Sequence, residues 1–364
     1  MIKRIITEKI LAELGGEKMI IIKGGRHVGK TELILHLEKV LKDRGDTTIF
    51  INAEQRRHES MLRYPKLFVR WLREQYSLQE SKKVFLFIDD VHFIKDPAEF
   101  LKEIDLATGK AVQIIGTASV TSALVSLSTT PEGYEKKIVF SLRHLSLREY
   151  LQALSDFSYT EHLPIGDSGA QQEFYDKHKE DLKEHFKDFV YWGGYPDVAE
   201  EPNPTKKYSI LGDVIHRYIE KDISSFLRLE NVDAYIQLME ILAHESGNLL
   251  NHHELSTRLN IHKKTLGKYL DVISNTFTFE FVPPFFTNQK KELAKMRKVY
   301  AHDAGIVSYF HHQTVREPLS FFPNISRLKN FLYTEFRKMN YNEKLFFYRT
   351  IAKAEIDFVI NNGE

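Results

Sequence analysis

The chain has 364 residues, of which 42% are apolar and 28% charged, and a chain of this length exceeds one ordinary hydrophobic core, so we expect two or three domains. Its 51 basic and 50 acidic residues leave a net charge of +1, which provides no global attraction for nucleic acid. The lack of cysteine excludes disulfides, thiolate catalysis and Cys-type zinc sites.

Apolar runs in this sequence are short. None approaches the roughly 20 residues that a membrane-spanning helix needs. The N-terminal residues Met1 to Ile6 are followed at once by the polar residues Thr7, Glu8 and Lys9, which denies the N-terminus the apolar run of a secretory signal. We therefore expect a cytoplasmic protein that contacts no membrane.

Short β-branched runs alternate with amphipathic stretches up to about residue 145, a pattern typical of a parallel sheet with crossover helices. Leu33, Leu37 and Leu41 share one face of a predicted helix that ends near Gly45, and a second helix is predicted over residues 62–79. The pattern predicts an α/β nucleotide-binding domain over residues 1–146. Its five predicted strands cover residues 19–22, 47–51, 84–88, 111–115 and 138–140.

Long, charged, helical sequence begins at Leu147 and is interrupted by the turn-rich residues 164–169. The segments Gly193-Gly194-Tyr195-Pro196 and Pro202-Asn203-Pro204 break the chain again before a helix predicted at about 208–229. This character predicts a helical lid over residues 147–230.

A helix predicted over 235–244 is followed by two short helices, over 253–259 and 264–274, that are joined by a tight turn. A strand-like run covers 277–282. This order predicts a winged helix-turn-helix over residues 231–285. Residues 286–364 mix strands and helices and end on an alternating strand at 354–360, which predicts a small α+β module that we expect to be incomplete at Glu364.

Residues 24–31 read Gly-Gly-Arg-His-Val-Gly-Lys-Thr and fit the pattern G-x-x-x-x-G-K-[ST]. The pattern follows a buried strand and opens a helix, the setting in which backbone N–H groups converge on a phosphate. We expect Lys30 to bridge the β- and γ-phosphates and Thr31 to ligate Mg²⁺. The predicted nucleotide-binding residues are Gly24, Gly25, Arg26, His27, Val28, Gly29, Lys30, Thr31 and Glu32.

An acidic pair, Asp89 and Asp90, ends the apolar run of the third predicted strand. We expect Asp89 to orient the water shell of Mg²⁺ and Asp90 to polarise the attacking water. Most ATPases with this arrangement carry Glu at the second place. Aspartate is shorter by one methylene, and general-base geometry tolerates little displacement, so the sequence predicts intact binding and leaves the rate of hydrolysis open.

Polar and basic residues near the predicted sheet provide further candidates. Thr117, at the end of the fourth strand, is predicted to sense the γ-phosphate, with a simple strand-end cap as the alternative. Positive charge for a transition state could come from Arg143, Arg148 or Arg217, in cis or from a neighbouring subunit. A homo-oligomer is therefore among the expected assemblies, and a plain surface position is the alternative for each arginine.

The sequence resembles prokaryotic AAA-type ATPases whose P-loop domain is followed by a winged helix and a nuclease-like C-terminal domain of unknown function. The chain departs from this family at Asp90, where the family has Glu, at Lys221, where it has Arg, and at His144, where it has Pro. The resemblance rests on residues 24–31, Ile88-Asp89-Asp90-Val91-His92, His144-Leu145-Ser146-Leu147-Arg148-Glu149-Tyr150-Leu151, Gly193-Gly194-Tyr195-Pro196, Tyr218-Ile219-Glu220-Lys221-Asp222-Ile223 and Lys298-Val299-Tyr300-Ala301-His302-Asp303-Ala304-Gly305.

The loop, the acid pair and the lid proline in one chain predict an ATPase that binds ATP or ADP with Mg²⁺ and acts as a nucleotide-driven switch or motor, with DNA as one possible target. The preference for adenine is implied by the resemblance. The resemblance also implies that Pro196 packs on the adenine base, with a helix-breaking turn as the alternative. In the C-terminal module it implies an acid on a helix, Glu335, and an acid in a strand, Asp357. The E-x-K strand that should follow is absent, so we predict no nuclease activity for this chain.

Two hypotheses stay open for the helix that carries His262, Lys263, Lys264, Lys268 and Tyr269. It could contact the phosphates of double-stranded DNA through residues 253–274, or it could serve as a protein–protein module. The main alternative to an ATP-driven switch is therefore a DNA- or protein-binding winged helix that holds nucleotide mainly as a structural ligand. The adjacent histidines 252–253 and 311–312 suit a shared metal poorly and are predicted in solvated turns.

Overall fold

The computed structural model describes residues 2–76, 78, 82–119, 137–154, 168–219, 231–285, 296–314, 325–339, 344–350 and 352–361. The chain divides between Arg143 and His144 into two compact units. This division falls close to the predicted domain boundary at residue 146. The finer predicted boundaries within the second unit stay predictions.

A five-stranded parallel sheet forms the centre of the first unit, which confirms the predicted α/β P-loop fold. Its strands are β1 (Met19–Lys23), β2 (Thr47–Asn52), β3 (Val84–Asp89), β4 (Val112–Ala118) and β5 (Lys137–Ser141), in the spatial order β2-β3-β4-β1-β5. The helices are α1 (Ile6–Glu13), α2 (Lys30–Asp43), α3 (Arg56–Leu62), α4 (Pro65–Gln75) and α5 (Pro97–Thr108), with 3₁₀ turns at Val91–Phe93 and Gly109–Ala111.

Helices cover both faces of this sheet, as β1 illustrates. Ile20 and Ile22 pack in one core cluster with apolar residues of α1 and α2. Ile21 points the other way and packs in a second cluster with residues of α4 and α5. Because successive side chains of a strand alternate between faces, a strand that is covered on both sides must be apolar throughout. The sheet therefore has the continuous apolar runs from which it was predicted.

The prediction of a single helix over residues 62–79 is wrong. The chain forms α3 and α4 instead, and Pro65 occupies the first turn of α4. A residue that precedes proline is pushed out of the helical region, and Tyr64 adopts φ −128° and ψ 103°. The interruption is therefore a direct effect of Pro65.

The second unit contains more helix than sheet. Its helices are α6 (Leu147–Ala153), α7 (Ser168–Trp192), α8 (Pro196–Ala199), α9 (Pro204–Tyr218), α10 (Val232–His244), α11 (His252–Arg258), α12 (Lys263–Asn275), α13 (Ala304–Thr314) and α14 (Ile325–Lys338). Strands β6 (Phe279–Val282) and β7 (Lys298–Ala301) pair antiparallel, as do β8 (Lys344–Arg349) and β9 (Glu355–Asn361). One core cluster unites apolar residues from α7 to α13, so segments from all three predicted modules share it.

The helices predicted near 235–244, 253–259 and 264–274 correspond to α10, α11 and α12, and the strand at 354–360 corresponds to β9. The strand predicted over residues 277–282 is shorter, as β6, and pairs with β7. Of the turn-rich segment 164–169, Ser168 and Gly169 instead begin α7, and residues 164–167 lie outside the described residues. Glu220, Lys221, Asp222 and Ile223 also lie outside them.

The histidine pairs lie in helices, so their prediction as solvated turns is wrong. His252 and His253 are exposed at the start of α11. His311 is half-buried in α13, and its ring stacks on that of His244 at 4.4 Å. Burial, with the nearby Arg327 and His244, lowers the pKa of His311 to about 4. The helix α13 contributes Ile306 and Phe310 to the core and carries His311 inward with them.

A buried carboxylate joins three distant segments of the second unit. Asp303, which is 1% exposed, accepts hydrogen bonds from the amides of Gly194 at 2.7 Å and Gly305 at 2.8 Å. The carbonyl of Gly194 in turn accepts from the amide of Leu145 at 2.8 Å. Burial raises the pKa of Asp303 to about 6, against the opposing effects of Lys338 and the two amides. Segments that are far apart in sequence therefore meet around one acid.

Gly193 is the position at which this cluster leaves no room for a side chain. Its φ is +80°, and a Cβ there would lie 1.9 Å from Asp303 Oδ1. We expect Gly193→Ala to lower the free energy of unfolding by roughly 3 kcal/mol, because left-handed strain adds to the loss of the Asp303 hydrogen bonds. Urea denaturation followed at Trp192 in a Trp71→Phe background measures the effect.

Gly247→Ala is the matched control in the same unit. Gly247 has a similar φ of +87°, but a Cβ there would make only ordinary contacts, with Lys329 at 3.6 Å and Ser326 at 3.9 Å, so we expect a loss of about 1 kcal/mol from strain alone. Equal losses for the two variants would contradict the role given to the Asp303 cluster.

Candidate nucleotide-binding site

The loop between β1 and α2 depends on glycine at two positions. Gly29 has φ 91° and ψ 25° and directly precedes α2. A Cβ on Gly24 would lie 2.1 Å from the carbonyl oxygen of Leu142. A larger residue would strain the backbone at Gly29 and would displace the backbone around Gly24. The local fold therefore requires glycine for its shape, independent of any ligand.

Backbone hydrogen bonds fix the base of this loop on both sides. The amide of Gly24 donates to the carbonyl of Ala118 at 3.1 Å, and the amide of Leu142 donates to the carbonyl of Lys23 at 2.7 Å. These bonds extend the pairing of β1 with β4 and β5 beyond the strands. The loop thus starts from a rigid position at the carboxyl edge of the sheet, where ligands bind in open α/β sheets.

Lys30 lies against the loop that precedes it. Its ammonium donates to the carbonyls of Gly24 at 3.1 Å and Gly25 at 2.6 Å, and the residue is only 6% exposed. The next two residues, Thr31 and Glu32, are exposed in the first turn of α2, while Arg26 and His27 are half-buried in the loop. The start of a helix and a held cation together form a region of positive potential suited to an anion.

Asp89, the last residue of β3, is the buried acid of the site. It is 1% exposed, and its two oxygens accept from different hydroxyls: Thr31 Oγ1 at 2.7 Å and Thr117 Oγ1 at 2.5 Å. Burial and the neighbouring Asp90 raise the pKa of Asp89, while the two hydroxyls and Lys30 act to lower it. The predicted metal residues Thr31 and Asp89 are therefore brought together, and both present the hard oxygen donors that Mg²⁺ prefers.

Thr117 joins the two acids. Its hydroxyl donates to Asp89 and accepts from the amide of Asp90 at 2.8 Å, and the residue is fully buried. One hydroxyl group thereby positions the carboxylate of one acid and the backbone of the other. The predicted role of Thr117 as a γ-phosphate sensor stays a prediction.

Asp90 turns away from the direction of β3. Its φ is 56° and ψ 52°, a left-handed conformation that aspartate tolerates better than most residues. The Asp90 carboxylate accepts from Ser119 Oγ at 3.2 Å, and His92 Nδ1 lies 3.6 Å from the same oxygen. The amide of Ser119 points to His92 Nδ1 at 3.4 Å. Asp90, His92 and Ser119 therefore form one small polar cluster.

The sequence analysis missed the contacts that Ser119 and His92 make with Asp90. A signal for Ser119 exists, because residues two apart in an extended strand share a face and Ser119 follows Thr117 at that spacing. No comparable signal exists for His92. Its approach to Asp90 depends on the left-handed conformation of Asp90 and on the 3₁₀ turn that follows.

Four other predicted residues lie outside this cluster of contacts. Arg143 is the last residue of the first unit. Pro196 begins α8, while Arg148 and Arg217 are exposed in α6 and α9 of the second unit. Their predicted contacts with base and phosphate stay predictions.

The two acids of the C-terminal module have separate cationic partners. Glu335 lies 3.1 Å from Lys338 Nζ, whereas Asp357 lies 2.6 Å from Lys298 Nζ and 2.8 Å from Lys329 Nζ. Within the part of the chain that the structure describes, no group of three or more His, Asp or Glu side chains could hold a metal. Asp357 is therefore engaged in an ion-pair cluster.

Comparison with known families assigns the first unit. A model of the AAA domain matches residues 16–151, and a model of a domain of unknown function (DUF8612) matches residues 183–317. The AAA match covers the loop, both acids and Thr117. It thereby confirms the AAA-type P-loop domain that the sequence predicted.

Relatives extend over nearly the whole chain but carry no functional description. An uncharacterized protein of Haemophilus influenzae is 20% identical over 94% of this chain and 80% of its own length. One of Methanocaldococcus jannaschii is 24% identical over 98% of this chain and 75% of its own length. Related sequences of similar extent therefore occur in a bacterium and an archaeon.

The likeness to solved structures is weak. The Aeropyrum pernix ORC1 protein in complex with DNA is 10% identical, with a TM-score of 0.35, over 85% of this chain and 91% of that one. AMPPCP-bound DnaA from Aquifex aeolicus is 14% identical, with a TM-score of 0.30, over 75% of this chain and 86% of that one.

Among the described residues, no helix combines the length and apolar content needed to cross a membrane.

Substitutions of Thr117 test whether its hydroxyl stabilises the arrangement of Asp89 and Asp90. Thr117→Val removes a donor to Asp89 and an acceptor for the Asp90 amide, so we expect it to lower the free energy of unfolding by about 1–3 kcal/mol. Thr117→Ser keeps the hydroxyl and should cost less. Urea denaturation followed at Trp71 in a Trp192→Phe background measures both, and a valine variant as stable as wild type would contradict this arrangement.

Proposed function

We propose that this chain, whose residues 16–151 form an AAA-type P-loop domain, binds Mg²⁺-ATP, hydrolyses it and uses the nucleotide state as a switch. The observation that carries the proposal is the contact of Thr31 with Asp89 at 2.7 Å beside the loop that holds Lys30. These three groups come from two segments, the start of α2 and the end of β3, and they are the groups that bind a metal-bound triphosphate.

The binding step follows from charge and geometry at the loop. The N-terminus of α2 and the ammonium of Lys30 would attract the phosphates. Thr31 and Asp89 would hold Mg²⁺, which would neutralise charge on the phosphate oxygens. The raised pKa of Asp89 fits this role, because a cation beside that carboxylate would offset the cost of burying its charge. Glu32 and the loop residues Gly24 to Gly29 would line the phosphates.

Hydrolysis would depend on Asp90. A water attacks the γ-phosphorus, the bond to the bridging oxygen breaks, and Asp90 orients the water and accepts its proton. Ser119 restrains the Asp90 carboxylate through its hydrogen bond at 3.2 Å. Since aspartate reaches less far than glutamate, we propose slow turnover, as suits a switch more than a motor.

Residues of both units, or of a neighbouring copy, complete the proposal. Thr117 would transmit the state of the γ-phosphate through its bonds to both acids. Arg143, Arg148 or Arg217 would supply positive charge in the transition state, in cis or within a homo-oligomer. Pro196 would pack on the adenine of ATP or ADP.

Variants of Lys30 and Asp90 separate binding from hydrolysis. Lys30→Ala should weaken binding of Mg²⁺-ATP by at least tenfold, since it removes a charged donor to the phosphates. Asp90→Asn should bind ATP normally and lose turnover, and Asp90→Glu should raise turnover by restoring reach. Titration calorimetry and phosphate release measure the two properties.

Lys39→Ala, an exposed lysine on α2 away from the loop, is the matched control and should behave as wild type. Absence of ATP binding by the wild-type chain would overturn the proposal. Turnover that persists in Asp90→Asn would overturn the role of Asp90 alone.

A basic pocket favours DNA as a second ligand, as the winged-helix prediction allows. The pocket has a volume of about 720 Å³ and lies where α11 meets the start of α12. Its lining includes two lysines, two histidines and two hydroxyls: Lys263, Lys264, His253, His262, Ser256 and Thr265. Such groups suit the phosphates of double-stranded DNA at residues 253–274. The net charge of the whole chain, +1, does not reveal this local cluster of basic residues.

Charge reversal in this pocket tests DNA binding. The double variant Lys263→Glu/Lys264→Glu should weaken binding to a duplex by at least tenfold and reduce the salt dependence of binding, because fewer counterions are released. Lys9→Glu/Lys39→Glu, at exposed positions of the first unit, applies the same charge change elsewhere and should bind like wild type. Fluorescence anisotropy at several salt concentrations measures both. Equal losses in the two double variants would reject a local site.

A further inference from the structure

Arg4 is a buried cation close to the candidate nucleotide site. It lies just before α1 and is 5% exposed. One of its guanidinium nitrogens, Nη1, donates to the carbonyl of Val28 at 2.7 Å, and the other, Nη2, donates to the carbonyl of Arg143. A buried guanidinium requires such acceptors, and these two carbonyls are among the groups that hold its side chain.

The first contact fixes a peptide of the phosphate loop. Because a trans peptide is planar, the carbonyl of Val28 and the amide of Gly29 point in opposite directions. A guanidinium that holds this carbonyl therefore also sets the direction of the Gly29 amide at the start of α2. The side chain of Val28 is fully buried in the same cluster as Ile6 and Ile10 of α1. Polar and apolar contacts together hold this part of the loop.

The second contact fixes the peptide at which the first unit ends. The units divide between Arg143 and His144, and the carbonyl of Arg143 belongs to the peptide that joins them. The amide of the preceding residue, Leu142, donates a hydrogen bond to the carbonyl of Lys23. The carbonyl of Leu142 lies directly against Gly24. The end of the first unit and the loop are therefore neighbours in the structure.

We propose that Arg4 is a positioning residue that couples the phosphate loop to the Arg143–His144 peptide. The guanidinium is a rigid planar fork, so its two nitrogens cannot follow two carbonyls that move independently. A phosphate that reorients the Val28–Gly29 peptide must either break one Arg4 hydrogen bond or carry the Arg143 carbonyl with it. This coupling rests on the proposed binding of ATP. It would transmit a change in the loop caused by bound nucleotide to the last peptide of the first unit.

Three variants of the full chain test the coupling. Arg4→Ala removes both hydrogen bonds, Arg4→Lys keeps the charge without the fork, and Lys3→Ala is an exposed neighbouring control. Titration calorimetry measures the affinity for Mg²⁺-ATP. Hydrogen–deuterium exchange of peptides that span residues 140–146, with and without Mg²⁺-ATP, measures the response of the unit boundary.

The coupling predicts a different pattern for each variant. ATP should slow exchange over residues 140–146 severalfold in wild type and in Lys3→Ala. Arg4→Ala should bind ATP about tenfold more weakly, the loss expected for a charge-assisted hydrogen bond, and should lose the ATP-dependent change in exchange. Arg4→Lys should bind within about threefold of wild type and still lose that change, because a lysine ammonium cannot fix two carbonyls relative to each other.

Three outcomes would overturn the inference. If wild type binds ATP and both Arg4 variants retain affinity and the exchange response, Arg4 does not couple the two peptides. If the variants only unfold at lower urea while ATP still slows exchange, Arg4 is merely structural. If wild type binds no ATP, the proposed function falls and the coupling falls with it, whereas the first two outcomes leave the proposed function intact.

Discussion

The carboxylate of Asp89 is the interaction on which the candidate site depends. It is buried at the end of β3, where an unpartnered charge would be expensive, and it is held by hydroxyls from α2 and from β4. The same two hydroxyls place Thr31 beside the loop and Thr117 beside the amide of Asp90. The pKa of Asp89 is raised because burial and the charge of Asp90 outweigh these hydrogen bonds and Lys30. In the proposed function, a bound Mg²⁺ would offset the cost of burying this charge.

Asp303 organises the second unit in a comparable way. It is a fully buried carboxylate whose pKa is raised to about 6, and it gathers backbone amides instead of hydroxyls. Gly193 can approach Asp303 so closely, and Gly194 the backbone of Leu145, only because they lack side chains. Both units therefore use a buried acid to bring together segments that are distant in sequence. One acid faces a predicted ligand site, whereas the other is enclosed by the protein's own amides.

Binding, hydrolysis and signalling place different demands on the first unit. In the proposed function, nucleotide binding would depend on Lys30 and Asp89, which are held by several contacts. Hydrolysis would depend on the reach of Asp90, whose carboxylate accepts a hydrogen bond from Ser119. Signalling would depend on Arg4, which connects the loop to the end of the unit. These groups lie within one domain but act through different atoms, so substitutions can separate the three properties.

The sequence by itself determined the parallel sheet, the loop at 24–31 and the acid pair, because strand periodicity and a phosphate loop are local patterns that a short window contains. It also predicted one helix where Pro65 divides two. Only the tertiary structure showed that Ser119 and His92 contact Asp90, and that Arg4 reaches both Val28 and Arg143. Such contacts join residues up to 139 positions apart. They depend on how strands and helices pack in three dimensions, which no periodicity along the chain records.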